Sequence, residues 1–210
     1  MKADDLIKFE EKVVTEYKKG FTYGPVHLSG GNEEQLIKIF KDIKRNDWVF
    51  STHRSHYHAL LKSKDKEWLM NEIIKKANSS HINSRKYKIF TSAIVGGIIP
   101  IALGVAYSIK LKKQKSKVYC FVGDMASEMG CFNEAVKYAI NFDLPIIFVI
   151  EDNGLGCNSP TEIVWGNKLY YKSDKVIYYR YVRKYPHYGV GEFIKLQNKL
   201  KTEGDYNVFK

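Results

Sequence analysis

Two short polar pairs carry the most suggestive chemistry in this chain. Gly123-Asp124 and Asp152-Asn153 each follow a short apolar run, at 118–122 and 146–150, and Asp124 and Asn153 are 29 residues apart. A carboxylate, a side-chain amide oxygen and a neighbouring backbone carbonyl make a hard-oxygen donor set. Such a set suits Mg²⁺ or Ca²⁺, and Mg²⁺ commonly completes its octahedron with phosphate oxygens and water. The backbone N–H groups of Met125 and Ala126, at the start of the next helix, are placed to meet a phosphate. Taken alone, both pairs are equally compatible with ordinary turns.

The elements that would position these pairs follow from periodicity. The runs 118–122 and 146–150 read as buried strands, and 128–142 between them is amphipathic at helical spacing. Strand, helix and strand within about 30 residues make a βαβ unit, hence a parallel sheet. Ligands on such sheets bind beyond the carboxyl ends of the strands, where both polar pairs fall. Upstream, Leu6, Phe9, Val13, Val14 and Tyr17 predict a helix over 4–18 closed by Gly20. A second helix should follow Ser29-Gly30-Gly31-Asn32, with Leu36, Ile37 and Phe40 on one face, and a third should span 65–76. The polar and basic stretch 78–88 reads as a mobile loop, and 100–111 as a buried helix. A strand over 175–182 and a last helix over 191–201 are the weaker expectations at the end. The whole predicts an α/β fold: three layers, a mostly parallel sheet with helices on both faces. Residues 1–210 read as one domain, with the helices of 1–45 packed on it.

Composition narrows the class. Of the 210 residues 34 are basic and 23 acidic, a net charge of +11, with 44% hydrophobic and 14% aromatic residues. That excludes a disordered or collagen-like chain, while the basic excess invites an acidic ligand, an acidic partner or nucleic acid. Cys120, Cys131 and Cys157 include no CxxC pair and no Cys/His cluster, which reads as reduced thiols in a cytoplasm. The first fourteen residues lack the apolar core of a signal peptide. The apolar stretch 93–109 contains Gly96, Gly97, Pro100 and Gly104 and reads as a buried turn and helix, too short for a membrane span.

In their order, these segments carry a family likeness. Gly123-Asp124-Met125, then Gly130, Glu134-Ala135 and Leu144-Pro145, then Glu151-Asp152-Asn153 resemble the thiamine-diphosphate motif. The likeness is strongest to the alpha subunits of the 2-oxo-acid dehydrogenases, the pyruvate, branched-chain and acetoin enzymes. Val26-His27-Leu28-Ser29-Gly30-Gly31-Asn32-Glu33 is similar to that family's His-Leu-x-x-Gly-Gln-Glu. Thr52-His53-Arg54-Ser55-His56-Tyr57-His58 resembles its Tyr-Arg-x-His-Gly-His, and Ala93-Ile94-Val95-Gly96-Gly97, with Pro100 and Gly104, resembles its Gly-Ile-Val-Gly segment. The likeness spans about 23–160. Met125 stands where the family's motif has Gly, His53 where it has Tyr, and Asp152 where it has Asn. Beyond Pro160 only Tyr179-Arg180-Tyr181 echoes a family segment.

The resemblance implies thiamine diphosphate and Mg²⁺ as cofactors. It assigns the metal to Asp124, Asn153 and the carbonyl of Leu155, with Gly123, Met125 and Ala126 beside them. It puts Arg54, preceded by His53, on the diphosphate, a role suited to a forked guanidinium. Val95 and the Ala93 backbone would flank the cofactor. His27 would lie near the reacting centre and His56 near the substrate entrance, both as catalytic candidates. His58, His81 and His187 read as packing or surface residues, and Lys112-Lys113 and Arg183-Lys184 as solvated surface.

The implied function is the alpha-type component of a split enzyme acting on a 2-oxo acid or related carbonyl compound. A beta-type, pyrimidine-binding subunit would supply the activating glutamate in an alpha2-beta2 assembly, with a lipoyl carrier as acyl acceptor. A split transketolase or acyloin-type carboligase is the alternative within the enzymes. Outside them stand a cofactor-binding pseudoenzyme and, from the charge and the Tyr-interleaved Arg180, Arg183 and Lys184, a basic nucleic-acid-binding module. The leading reading involves neither nucleic acid nor a membrane.

Overall fold

The computed structural model describes residues 1–20, 22, 24–166 and 173–194. Five strands, β1 (Trp48–Ser51), β2 (Ile89–Thr91), β3 (Val118–Gly123), β4 (Ile146–Asp152) and β7 (Val176–Arg180), form one sheet in the order β2-β1-β3-β4-β7. Every pairing in it is parallel, including Gly123 opposite Glu151 at the end of β3 and β4. A two-stranded antiparallel ribbon, β5 (Leu155–Gly156) with β6 (Ser159–Pro160), follows β4.

The central strands are buried on both faces, which is why they read as continuous apolar runs rather than alternating ones. Along β3, Val118, Cys120 and Val122 point to one core while Tyr119 and Phe121 point to the other. The first core is closed by α5 (Ile98–Leu111) and α7 (Gly130–Asn141) through Ile98, Ile99, Ala102, Ala106, Phe132 and Val136. The second is closed by α1 (Ala3–Lys18), α2 (Glu33–Phe40), α3 (His56–Ser63) and α4 (Lys66–Met70) through Leu6, Phe9, Val13, Leu36, Leu60 and Leu69. Helices on both faces of a parallel sheet make the expected three layers. The start of α1 is set by Asp5, whose carboxylate accepts the Lys2 N–H at 2.9 Å. At α4, Asp65 caps the Trp68 N–H at 2.9 Å, and the helix runs on into a π-helical turn, Asn71–Lys75.

Two expectations change, and some elements are new. The stretch 78–88 is tied down rather than loose: Ser79 and Ile82 are buried, the Ile82 N–H donates to Thr91 Oγ1 at 2.7 Å, and Ser84 bridges to Ile89. The helix expected over 128–142 is α7, and a separate short helix not expected from the sequence, α6 (Asp124–Ser127), precedes it across an extended Met129 (φ −68°, ψ 146°). The segments β1, α3 and β2 were not foreseen as elements. The last helix fails at 191–194, which are not helical, and the rest of that expectation lies outside the described residues. Among the described residues, no helix is long and apolar enough to cross a membrane.

Candidate functional site

From β1 the chain moves outward to β2, then returns past β1 to β3, so the strand order reverses between β1 and β3. A crevice opens beyond the strand ends at such a switch point. Here it is a cleft of about 380 Å³ to which every strand of the sheet contributes. Thr52, His53 and Arg54 follow β1, Ser92 to Gly96 follow β2, and Gly123 to Ala126 follow β3. Glu151, Asn153 and Leu155 come from the end of β4 and beyond, and Tyr181, Arg183 and His187 from the segment after β7.

Asp124 is 1% exposed, and one of its carboxylate oxygens accepts the Thr161 hydroxyl at the start of α8 (Thr161–Trp165). The Asn153 amide oxygen accepts the Leu155 N–H at 3.1 Å, and its NH₂ donates to the Tyr181 hydroxyl at 3.2 Å. Burial, with Glu151 second, pushes the Tyr181 phenol up to about 12, so it stays a neutral hydroxyl. Met125 leans on the β5 ribbon, where a Cβ on Gly156 would lie 2.5–2.9 Å from its side chain, and its sulfur accepts the Trp165 indole N–H at 3.0 Å.

Arg54 is held over the cleft by carbonyls. Its guanidinium donates to Leu28 O at 2.6 Å, Pro186 O at 3.5 Å and His187 O at 3.4 Å. The segment after β7 thereby becomes a strap across residues 26–31, with Gly189 N–H donating to Val26 O (2.8 Å) and Lys184 N–H to Gly30 O (3.1 Å). Gly31 (φ +98°) is obligatory under it, since a Cβ there would lie 2.0 Å from Val182 O. The strap also brings His187 against His27 and His53, with ring centroids 4.6–5.5 Å apart. Burial first, then the neighbouring imidazoles and Arg54, pull His27 down to about 3; burial, then Arg54 and His187, pull His53 to about 4. Both rings are neutral at pH 7.

The arrangement matches a known family. The family model of the dehydrogenase E1 component covers residues 1–183. The chain belongs to this family. It is 36% identical over 163 residues to the acetoin:2,6-dichlorophenolindophenol oxidoreductase alpha subunit of Bacillus subtilis, covering 73% of this chain and 49% of that protein. The protein of the same name from Cupriavidus necator is 34% identical over 155 residues, covering 70% and 46%. The chloroplastic pyruvate dehydrogenase E1 component subunit alpha-3 of Arabidopsis thaliana is 33% identical over 160 residues, covering 69% and 37%. The chain thus spans half or less of the length of these relatives. E1 dehydrogenases are thiamine-diphosphate-dependent enzymes, with Mg²⁺ as the usual metal partner.

Within this E1 chain the ten residues expected around the cofactor (His53, Arg54, Ala93, Val95, Gly123, Asp124, Met125, Ala126, Asn153 and Leu155) all line the one cleft. His27 does not line it but packs on His53, which does. His56 corrects the expectation: it is wholly buried rather than near an entrance. Its Nδ1 lies 2.9 Å from Glu10 Oε1 and its Nε2 2.9 Å from Ser79 Oγ, which in turn accepts the His27 N–H at 3.2 Å. Glu10 also accepts the Ser29 N–H. The carboxylate requires a proton on Nδ1, so that nitrogen donates to Glu10. His56 therefore positions the backbone of the His27 segment.

The cleft also contains residues that sequence reasoning set aside or missed. Glu151, 8% exposed, accepts from Asn32 at 3.1 Å and from the Tyr179 hydroxyl, and stands 3.3 Å from His58 Nε2. Arg183, expected as solvated surface, instead reaches Cys157 O at 2.6 Å and Asn158 Oδ1 at 3.1 Å across the cleft mouth. His187, expected as packing or surface, lines the cleft. Only Glu151 had a sequence signal, its place one residue before the Asp152-Asn153 pair. Arg183 and His187 arrive through the strap.

Proposed function

We propose that this chain is the diphosphate- and Mg²⁺-holding, alpha-type component of a thiamine-diphosphate-dependent enzyme that acts on a 2-oxo acid or related carbonyl compound such as an acyloin. The observation that carries this reading is the meeting of Asp124, Asn153 and the Leu155 segment at the ends of two adjacent parallel strands, in one cleft with Arg54. That donor chemistry fits the group: hard oxygens suit Mg²⁺, and a fixed guanidinium suits a diphosphate. Asp124, Asn153 and the carbonyl of Leu155 would hold the metal. Arg54 would hold the diphosphate, with Met125 and Ala126 presenting backbone beside it and Ala93 and Val95 flanking the rings.

Thiamine diphosphate, when bound, supplies a thiazolium carbanion that adds to a carbonyl carbon and then serves as an electron sink. The chain's own residues orient and shield. The Glu10–His56–Ser79 network fixes the His27 segment, neutral His27 and His53 offer hydrogen-bonding imidazoles at or beside the cleft, and the strap ties the segment after β7 to residues 26–31. We further read the pyrimidine side as supplied by a beta-type subunit in an alpha2-beta2 assembly, with a lipoyl carrier as acyl acceptor. Two features support a covering partner: the alpha-subunit names of the relatives, and the exposed apolar rim of the cleft. Ile94 is 71% exposed, Val95 56% and Val164 54%.

The test is calorimetric titration of the chain with thiamine diphosphate in the presence of Mg²⁺, alone and co-produced with a beta-type subunit. Asp124→Ala should weaken binding by more than about tenfold, and turnover of a 2-oxo acid should require both subunits. Equal cofactor affinity in wild type and Asp124→Ala would remove the reading.

A further inference from the structure

His27, His53 and His187 come from three separate segments: the stretch before α2, the end of β1, and the strap after β7. One ring nitrogen from each lies within 4.8 Å of the others. The rings meet edge-on, at interplanar angles of 66°, 71° and 68°, so they surround a common point rather than stack. His27 is 8% exposed, and its Nδ1 has no hydrogen-bond partner among the described residues. A buried, unpaired ring nitrogen calls for an explanation. We propose that His27, His53 and His187 form a binding site for a divalent transition metal of the zinc class, with a coordination position open to the cleft.

Three neutral imidazoles with one open position are the donor set of a tetrahedral N-ligand site. The metal–nitrogen distance there is about 2.0–2.1 Å, which puts ligand nitrogens about 3.3 Å apart. The ring nitrogens start within 4.8 Å of one another, and the terminal torsion of each imidazole is soft enough to aim them at a common ion. The rings are already in the ligating form, because burial and mutual repulsion keep them unprotonated. The backbone beneath two of them is pinned, by Arg54 to His187 O and by Ser79 to the His27 N–H. This site is distinct in kind from the hard-oxygen set at Asp124 and Asn153, which Mg²⁺ prefers. With the imidazoles neutral, the Arg54 guanidinium is the fixed cation acting on His27, so a bound dication favours an anionic fourth ligand that offsets it. His53 and His187 line the cleft, so that ligand enters from it, as hydroxide or a phosphate oxygen.

The experiment is titration of the full chain with Co²⁺, free of thiamine diphosphate, read by its visible absorption. It uses a Cys131→Ser/Cys157→Ser background, so that the two thiols that are not fully buried contribute nothing. The expected result is the intense spectrum of four-coordinate Co²⁺, displaced by stoichiometric Zn²⁺ and unaffected by excess Mg²⁺. His53→Gln and His187→Gln should each lower affinity at least about tenfold, with far-UV circular dichroism confirming the fold. His81→Gln, a histidine outside the cluster, and Asp124→Ala should leave the affinity unchanged. A spectrum that is only six-coordinate, or undiminished affinity in whichever of His53→Gln and His187→Gln folds, would overturn the proposal. Loss of Co²⁺ binding in Asp124→Ala would overturn it too, since the hard-oxygen set would then be the binder. Because no thiamine diphosphate is added, failure here leaves the cofactor reading standing, and the reverse also holds.

Discussion

Gly156→Ala tests how the cleft accommodates Met125, the residue that stands in place of a motif glycine. A Cβ at 156 would lie 2.5 Å from Met125 Cε, 2.8 Å from Cγ and 2.9 Å from Cβ, where carbon atoms prefer about 3.5–4.0 Å. The Cε could swing away at little cost and Cγ by a change of χ1, but Cβ moves only if the backbone of α6 itself shifts. Gly156 does not occupy the positive-φ region, so alanine meets no backbone penalty and the cost is overpacking alone. That amounts to about 1–3 kcal/mol. In a Met125→Gly background the obstruction is gone, and Gly156→Ala should be neutral or stabilising by about 0.4–1 kcal/mol through the unfolded state. The double-mutant cycle should therefore show a coupling energy of about 1–4 kcal/mol. Urea denaturation of wild type, both single variants and the double variant measures it, provided the m-values agree. The reasoning fails if Gly156→Ala costs the same in both backgrounds, or costs less than about 0.5 kcal/mol in the wild type. Since α6 begins with Asp124, the single variant should also weaken Mg²⁺-dependent cofactor binding, and the double variant should recover it.

His27 and His53 are held near 3 and 4, below the ordinary value of 6.5, so the unfolded chain takes up protons that the folded chain refuses as pH falls from about 6.5 to 4. Stability present above pH 6.5 should decline across that window, and His27→Gln/His53→Gln should flatten the decline in urea midpoints; parallel acid limbs would contradict this. His56→Ala strands Glu10 and Ser79 in the interior and should cost about 3 kcal/mol of folding stability; a stable variant with only a raised KM would instead mark an entrance residue. Phe121→Ala removes a fully buried ring stacked 5.7 Å from Phe40 and edge-on 4.4 Å from His58, and should cost about 3–5 kcal/mol by thermal or chemical denaturation.

The parts of the fold that were legible share one property: their burial pattern is set within the element. The strands β3 and β4 are long enough, and buried on both faces, to read as apolar runs. Helices α1 and α5 carry their own periodicity. Their ends place Asp124 and Asn153 without any long-range information. What was illegible depends on partners elsewhere. The strands β1 and β2 have four and three residues, too few to show a period. In α3, His56, Tyr57 and His58 are all buried, so the helix has no polar face, and its polarity is answered by Glu10, Ser79, Ser51 and Glu151 from other segments. Residues 78–88 look like a loop by composition, but Ser79 and Ile82 are sequestered by side chains of α3 and β2. The strap is hardest of all, because carbonyl oxygens hold it to Arg54, and carbonyls leave no mark in a sequence.

The histidines illustrate why residue type alone misassigns roles in this cleft. Positions 56 and 58 lie two apart on one helix, so their rings point to different sides of it. One enters the Glu10–Ser79 network below residues 27–29; the other sits between Ser51 at the end of β1 and Glu151 at the end of β4. Through Glu151 the second network continues to Asn32 and Tyr179, and so reaches the segment before α2 and the strand β7. The segment before α2 and the ends of β1 and β4 are thus tied from beneath by buried polar chains. Both chains are anchored in α3, whose hydrogen bonds are worth most where water is absent. Of the imidazoles that face the cleft, the one at 53 follows the end of β1 so tied, and the one at 187 is held instead through Arg54. A substitution in α3 should accordingly change cleft chemistry only by loosening those segments, while a substitution at 53 or 187 should change it directly and leave the sheet intact.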